Sequence, residues 1–203
     1  MPDQLSFVDL ELPRRVAHRP MGDVFYVVRP DEQAAAQYAD IATRLQKGMG
    51  LKGEIIHDRF HVTLHCIGTF PLLSDYTLNA AMAAAAAVSM PPFEIAFDRV
   101  RSFDRSAGKL PLVLVGPEHD GPVRAFRRTL DMALRRVGGV PRMSAHFLPH
   151  LTLMYGDRTV PEQMVEKVGW TVRDFVLIHS HYGHGRHEVI GQWPLREIRG
   201  DEP

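Results

Sequence analysis

The chain has 203 residues, of which 45% are hydrophobic and 24% are charged, and its 24 Lys and Arg residues balance 24 Asp and Glu residues. This length is sufficient for one substantial core and predicts a single domain over residues 1–203. The lack of a basic excess argues against a protein that coats long nucleic acid and favours a small substrate or a short RNA end. The one cysteine, Cys66, excludes an internal disulfide and is typical of a reducing compartment.

The sequence predicts neither membrane insertion nor export. Its apolar runs are shorter than a membrane span, and residues 1–4 lack a basic region followed by an apolar one. We therefore expect a cytoplasmic location and no membrane partner, and a monomer is the default expectation.

Up to residue 90 the sequence alternates between strand and helix patterns. Asp31 and Ser74 are side chains that cap helix N-termini, and the alanine run at 83–87 is a strong helix former. The predicted elements are, in chain order, an irregular arm at 1–20, a strand at 24–28, a helix from Asp31 to Lys47 stopped by Gly48, a short strand at 54–57, a strand at 60–67 and a helix from Ser74 to Val88.

The second part of the chain predicts strand pairs around one further long helix. That helix, at 122–137, carries five arginines, which we interpret as a solvated face, with a weak contact to an RNA backbone as the alternative. The predicted elements are strands at 93–103 and 112–115 around a turn at 105–108, the helix at 122–137, a strand at 150–155, a short helix at 161–168, and an antiparallel pair at 171–178 and 188–195. This order favours an α+β fold over a doubly wound parallel sheet.

The most informative feature of the sequence is a four-residue pattern that occurs twice, as HVTL at 61–64 and as HLTL at 150–153. Both copies lie in runs that alternate polar and apolar residues, and side chains alternate between the two faces of a strand. The predicted polar faces carry His61, Thr63 and His65 in the first copy, and His150 and Thr152 in the second. The predicted apolar faces carry Val62, Leu64, Cys66, Leu151, Leu153 and Tyr155.

The residues around the two copies extend the pattern, since Pro149 precedes the second copy and a stretch ending in Gly68 follows the first. With these features the chain resembles the 2H phosphoesterases, in particular their RNA 2′,3′-cyclic phosphodiesterase branch, often labelled 2′–5′ RNA ligase, and the resemblance runs across most of the chain. It implies an α+β fold of two lobes related by a pseudo-twofold axis. Two mostly antiparallel sheets would flank a central cleft, with helices on the outer faces.

The resemblance implies metal-independent hydrolysis of a 2′,3′-cyclic phosphodiester on RNA ends or on a small nucleotide, giving a 2′-phosphate. Its catalytic residues would be His61, Thr63, His150 and Thr152. These residue types suit the chemistry, because a neutral imidazole can deprotonate the attacking water while a protonated one supplies the leaving ribose oxygen with a proton. Each hydroxyl can donate to a non-bridging oxygen. No cofactor is expected, and activity should be bell-shaped in pH, centred near neutrality.

Two further residues are predicted to bind substrate. Some members of the family carry an arginine shortly after the second motif, where this chain has Tyr155. We expect His65, on the predicted face of His61, to supply the positive charge that this arginine would provide. The histidine-rich segment at 179–187 is interpreted as a hairpin loop that could line the rim of the cleft. No metal site is expected there, because no carboxylate or cysteine joins the histidines at a recognised spacing.

Three other functions stay open at the level of sequence. The same site could carry out ATP-independent 2′–5′ RNA ligation, the reverse reaction, although hydrolysis should dominate in water. The chain could be a non-catalytic nucleotide- or RNA-binding module, but the presence of both histidines and both threonines argues against this. In a purely structural domain, the two motifs would be buried and far apart.

Overall fold

The computed structural model describes residues 21–103, 110–117 and 121–196. The predicted arm at 1–20 and the predicted turn at 105–108 lie outside the described residues. The described helices are α1 (Glu32–Met49), α2 (Asp75–Ala86) and α3 (Gly121–Val137). The described strands are β1 (Gly22–Val28), β2 (Val62–Phe70), β3 (Phe93–Ser102), β4 (Leu110–Val115), β5 (His150–Gly156), β6 (Gln163–Val172), β7 (Asp174–His181) and β8 (Arg186–Pro194).

The eight described strands form one antiparallel sheet in the order β6-β3-β4-β5-β2-β1-β7-β8. Its two halves are the first half-sheet, β2-β1-β7-β8, and the second half-sheet, β6-β3-β4-β5. They are joined where β2 meets β5, through the single residue pair Val62–Leu151. The α+β fold with antiparallel strands is therefore confirmed. The two expected sheets are continuous with each other at this one pair.

The helices pack against one face of the sheet, which we call the core face. Helix α1 contacts β5 and β6, while α2 contacts α3, β2 and β8. Tyr26 of β1 donates a hydrogen bond from its hydroxyl to the Ala81 carbonyl of α2 at 2.6 Å. Phe126 of α3 contacts both Phe93 of β3 and Phe175 of β7. One apolar core therefore spans both half-sheets.

The opposite face of the sheet, which we call the site face, carries a second and smaller apolar cluster. It consists of Val27, Val176 and Ile178, with Phe25 packed against them. Val24, Tyr26 and Val28, which alternate with these residues along β1, belong to the main core. This alternation assigns the face of each residue that pairs with β1.

Two predicted elements differ from the structure. The helix predicted at 161–168 is wrong, because Gln163–Val172 forms strand β6 and pairs with β3 along most of its length. Its weak helical pattern yields to the ladder hydrogen bonds and the burial of Val168 and Trp170. At 54–57 the predicted short strand is reduced to one bridge, Ile55–Met154, followed by a 3-10 turn over His57–Arg59.

Local signals located the N-terminal ends of the first two helices. Asp31 and Ser74 are the N-caps, and their side chains accept hydrogen bonds from the backbone N–H groups of Ala34 and Thr77. Helix α1 continues past the predicted stop at Gly48 and ends at Gly50, whose φ of 61° is left-handed. Glycine adopts that conformation without the steric penalty of a Cβ atom. In the described part of the chain, none of the helices combines the length and hydropathy needed to cross a membrane.

The cap of α1 gives a test of the fold. Asp31→Ala removes the acceptor of the 2.8 Å hydrogen bond from Ala34 N and should lower the free energy of unfolding by about 1 kcal/mol. Asp31→Asn keeps an acceptor and should leave that free energy nearly unchanged. Urea denaturation of the three proteins measures both changes, and equal losses in the two variants would contradict the capping role.

Candidate functional site

The pair that joins the half-sheets also brings the two motifs together. Val62 and Leu151 lie opposite each other in antiparallel strands, and both are fully buried in the main core. Their neighbours along the strands therefore point to the site face. The same antiparallel register places His61 beside Thr152, and Thr63 beside His150. The four predicted catalytic side chains are thus directed to the same face, on either side of the Val62–Leu151 pair.

The first motif ends in a β-bulge that reverses the predicted alternation. Along β1 and β2, Val27 pairs with Thr63 and Tyr26 pairs with His65, so Leu64 is an extra residue. His65 consequently lies on the core face with Tyr26, is only 8% exposed, and donates from Nε2 to the Pro141 carbonyl at 2.8 Å. The prediction that His65 shares the face of His61 is therefore wrong, because sequence alternation does not reveal a bulge.

The second motif has the same irregularity at the equivalent residue. Thr152 pairs with Val113 and Met154 pairs with Leu112, so Leu153 is the extra residue. Tyr155, which pairs with Pro111, is thereby turned to the face of His150 and is 40% exposed. Its predicted position on the apolar face is wrong for the same reason. Its new position suits the substrate-binding role, which stays a prediction.

The two motif histidines make matching hydrogen bonds. His61 Nδ1 donates to the Arg59 carbonyl at 2.6 Å, and His150 Nδ1 donates to the Leu148 carbonyl at 2.8 Å. In each case the acceptor lies two residues before the histidine. A carbonyl oxygen only accepts, so Nδ1 carries a proton and Nε2 carries the lone pair of the neutral ring. Nε2 is therefore the atom through which either ring can exchange a proton with a ligand.

Aromatic rings fix the orientation of both imidazoles. The ring of His61 lies 5.6 Å from Phe25, and that of His150 lies 4.9 Å from Phe103, measured between centroids. His187 of β8 packs edge-on against His61 at 5.2 Å. The sequence placed His187 only in a histidine-rich loop, whereas the pairing of β7 with β8 brings it to the site face opposite Ser180.

The environment of His61 disfavours its charged form. Burial is the main cause that lowers its pKa to about 4, and the positive charges of His150, Arg29 and Arg59 act in the same direction. The hydrogen bond to the Arg59 carbonyl opposes this shift. His61 is therefore neutral at pH 7 in the free protein. Burial likewise lowers the pKa of His187 to about 4, together with the charges of His61, Arg59 and Arg29.

Arg29 and Arg59 are site residues that the sequence did not indicate. Arg29 directly follows β1, and Arg59 is the last residue of the 3-10 turn. Nothing in the sequence distinguishes them from other surface arginines. Their charges act on both His61 and His187. They thus add positive potential next to a motif histidine.

A groove leads from the candidate site along α3. One cavity of about 380 Å³ lies between the half-sheets and includes Thr63, His65, His150, Arg127 and Phe147 in its lining. A second, of about 280 Å³, shares Arg127, Ser144 and Phe147 with the first. It is also lined by the α3 side chains Arg124, Arg128, Asp131 and Arg135.

Arg127 makes structural contacts at the junction of the two cavities. Its guanidinium donates to the carbonyls of Leu64 and Ser144 at 3.0 and 2.7 Å and stacks on Phe147 at 4.4 Å. It therefore connects α3 both to the bulge of the first motif and to the loop before the second. Arg124 lies over the same ring at 5.6 Å. These arginines line a groove, whereas the sequence favoured a solvated face, with a weak contact to an RNA backbone as the alternative.

Comparisons with solved structures agree with this architecture. E. coli LigT in its apo form matches with a TM-score of 0.68 and 19% identity, over 88% of this chain and 100% of that chain. TT0787 of Thermus thermophilus matches with a TM-score of 0.67 and 21% identity, over 87% and 99%. E. coli LigT complexed with 3′-AMP matches with a TM-score of 0.65 and 20% identity, over 87% and 99%. At these identities the matches show a shared fold.

Sequence comparisons identify the family. A search of curated proteins finds no match. A family model described as the 2′-5′ RNA ligase superfamily matches residues 30–184, which is most of the chain and includes both motifs. The chain therefore belongs to the 2′-5′ RNA ligase superfamily.

Proposed function

We propose that this protein is a phosphoesterase that hydrolyses 2′,3′-cyclic phosphodiesters at RNA ends, giving a 2′-phosphate, without a metal ion in the reaction. The observation that carries the proposal is the antiparallel register at Val62–Leu151. With the alternation of side chains along a strand, this pair directs one histidine and one threonine from each motif to the site face, which supports a shared site. In-line displacement at phosphorus needs a base and an acid on opposite sides, and a twofold arrangement supplies them.

The roles of the two histidines follow from their surroundings. His61, neutral at pH 7, accepts the proton of the water that attacks phosphorus. His150, in its protonated form, donates a proton to the ribose O3′ as the P–O3′ bond breaks. The product then carries a 2′-phosphate and a free 3′-hydroxyl. Thr63 and Thr152 donate to the non-bridging oxygens, where negative charge grows in the transition state. Arg29 and Arg59 hold the anion close to His61.

Complexes of a structural neighbour support a nucleotide substrate. E. coli LigT has been solved with 3′-AMP and with phosphate, both of which contain a phosphate group. The reverse reaction, 2′–5′ ligation, would use the same residues and is disfavoured in water. A non-catalytic binding module would not need a hydrogen bond that fixes the tautomer of each motif histidine.

The groove along α3 favours an RNA strand over a mononucleotide as substrate. It starts at Thr63 and His150 and continues past Arg127 to Arg124 and Arg128. In the part of the chain that the structure describes, neither Arg124 nor Arg128 forms an ion pair with a carboxylate. Their charges are available to phosphates upstream of the cleaved end.

Substitution of the motif residues tests the catalytic set. His61→Ala and His150→Ala should each lower kcat for a nucleoside 2′,3′-cyclic phosphate by about a hundredfold or more, because each removes a general acid or base. Thr63→Ala and Thr152→Ala should lower it by roughly ten- to a thousandfold. His57→Ala, which changes an exposed histidine, serves as the control. Full activity in both motif-histidine variants would leave only the binding-module function.

The pH profile tests the assignment of the base. His61 must be neutral to accept a proton, so kcat/KM, which reports the free enzyme, should fall as the pH drops through about 4. An ordinary histidine would give this acid limb at about 6.5. Circular dichroism at each pH controls for unfolding. An acid limb at the ordinary value in folded protein would contradict the role of His61 as base.

Salt dependence tests the path of the strand. For an oligoribonucleotide with a cyclic phosphate end, the Arg124→Ala/Arg128→Ala double variant should reduce the slope of log KM against log salt by roughly 1.4, because each phosphate contact to a single strand contributes about 0.7. Its KM for a mononucleoside cyclic phosphate should be unchanged. Arg136→Ala is the matched control, because this exposed residue lies on the same helix outside the groove. Equal effects on both substrates would rule out the strand path.

A further inference from the structure

The β7–β8 hairpin carries different chemistry on its two faces. Ser180 and His187 form one cross-strand pair, and His187 contacts His61 on the site face. His179 and Glu188 form the next pair, so their side chains point to the opposite face. His181, two residues beyond His179, shares that face. None of these three side chains is used by the proposed reaction.

The three side chains converge on one point. One ligand atom each from His179, His181 and Glu188 lies within 4.8 Å of the other two. His181 Nε2 lies 3.0 Å from the Glu188 carboxylate, and the rings of His179 and His181 stack with centroids 4.1 Å apart. Strand pairing holds the three in register, since Glu188 lies directly opposite His179 and diagonally opposite His181.

The residue next to this cluster is a glycine. Gly22 of β1 pairs with His181, and a Cβ atom at Gly22 would overlap the Ser180 carbonyl oxygen and lie only 2.7 Å from His179 Nε2. The ring of His179 is 2% exposed and packs against Phe70 at 4.9 Å, which holds it in place. The side chain of His181 is only 10% exposed, whereas that of Glu188 is 54% exposed and lies where water and ions can approach. The cluster thus has two largely buried imidazoles and one carboxylate at the surface.

We propose that His179, His181 and Glu188 bind a first-row divalent cation, with Zn²⁺ as the best match. Two imidazoles and one carboxylate, with water in a fourth position, form a known donor set for this ion. Ligand bonds of about 2.0–2.2 Å place tetrahedral donors roughly 3.5 Å apart. The widest separation in the cluster, which is at most 4.8 Å, therefore needs to shorten by no more than about 1.3 Å. The sequence did not reveal this site, because Glu188 approaches His179 and His181 only through the pairing of β7 with β8.

Calorimetry with the full chain tests the proposal. After EDTA treatment and dialysis, titration with ZnCl₂ should show one ion bound per chain. His181→Ala and Glu188→Gln should each weaken binding by at least about tenfold, since even the loss of an outer-shell partner has an effect of this size. His184→Ala, in the exposed turn of the same hairpin, should bind as the wild type does. His61→Ala should also bind Zn²⁺ as the wild type does, because His61 lies on the opposite face of the sheet.

Several results would overturn the proposal. They are no stoichiometric binding by the wild type, unchanged affinity in His181→Ala and Glu188→Gln, or a loss in His61→Ala that these two variants do not share. A melting curve of each variant confirms folding.

A second measurement needs no variant. Co²⁺ bound to the wild type should give the intense visible absorption of a tetrahedral complex, and the weak absorption of the hydrated ion would count against the site. Hydrolysis, which uses the other face, should be unaffected by EDTA.

Discussion

The arrangement of the site depends on one antiparallel residue pair. Val62 and Leu151 are the only residues through which β2 and β5 pair in the described part of the chain, and both are buried against the helices. Because side chains alternate along strands, fixing this pair on the core face directs His61, Thr63, His150 and Thr152 to the other face. Beyond the pair the strands diverge, and the resulting gap is the groove. A longer ladder would close it.

One helix, α3, packs against both half-sheets. Phe126 of α3 contacts β3 in one half and β7 in the other, while Arg127 of the same helix binds the Leu64 carbonyl at the bulge. A helix that buries its apolar stripe in this way resists relative movement of the half-sheets. The apolar face of the same helix packs in the core, and its arginines line the groove that is the candidate substrate path.

The electrostatics of the site result from the same geometry. His61 is surrounded by Phe25, His187 and two arginines, so burial and positive charge both favour its neutral form. In the proposed reaction, the phosphate of the substrate compensates the positive charges of the arginines. The backbone carbonyls of Arg59 and Leu148 orient the rings of His61 and His150 before any ligand binds, which would reduce the ordering needed in the transition state of that reaction.

Local patterns in the sequence determined much of the fold. Helix caps at Asp31 and Ser74, the apolar stripe of α3 and the alternating strands are short-range signals, and the repeated motif indicated both pairs of candidate catalytic residues. Tertiary structure decided what depends on pairing between distant segments. Bulges at Leu64 and Leu153 exchanged the faces of His65 and Tyr155, β3 converted a predicted helix into β6, and hairpin pairing brought Glu188 to two histidines. Such contacts leave no periodic signal, because they depend on partners far along the chain.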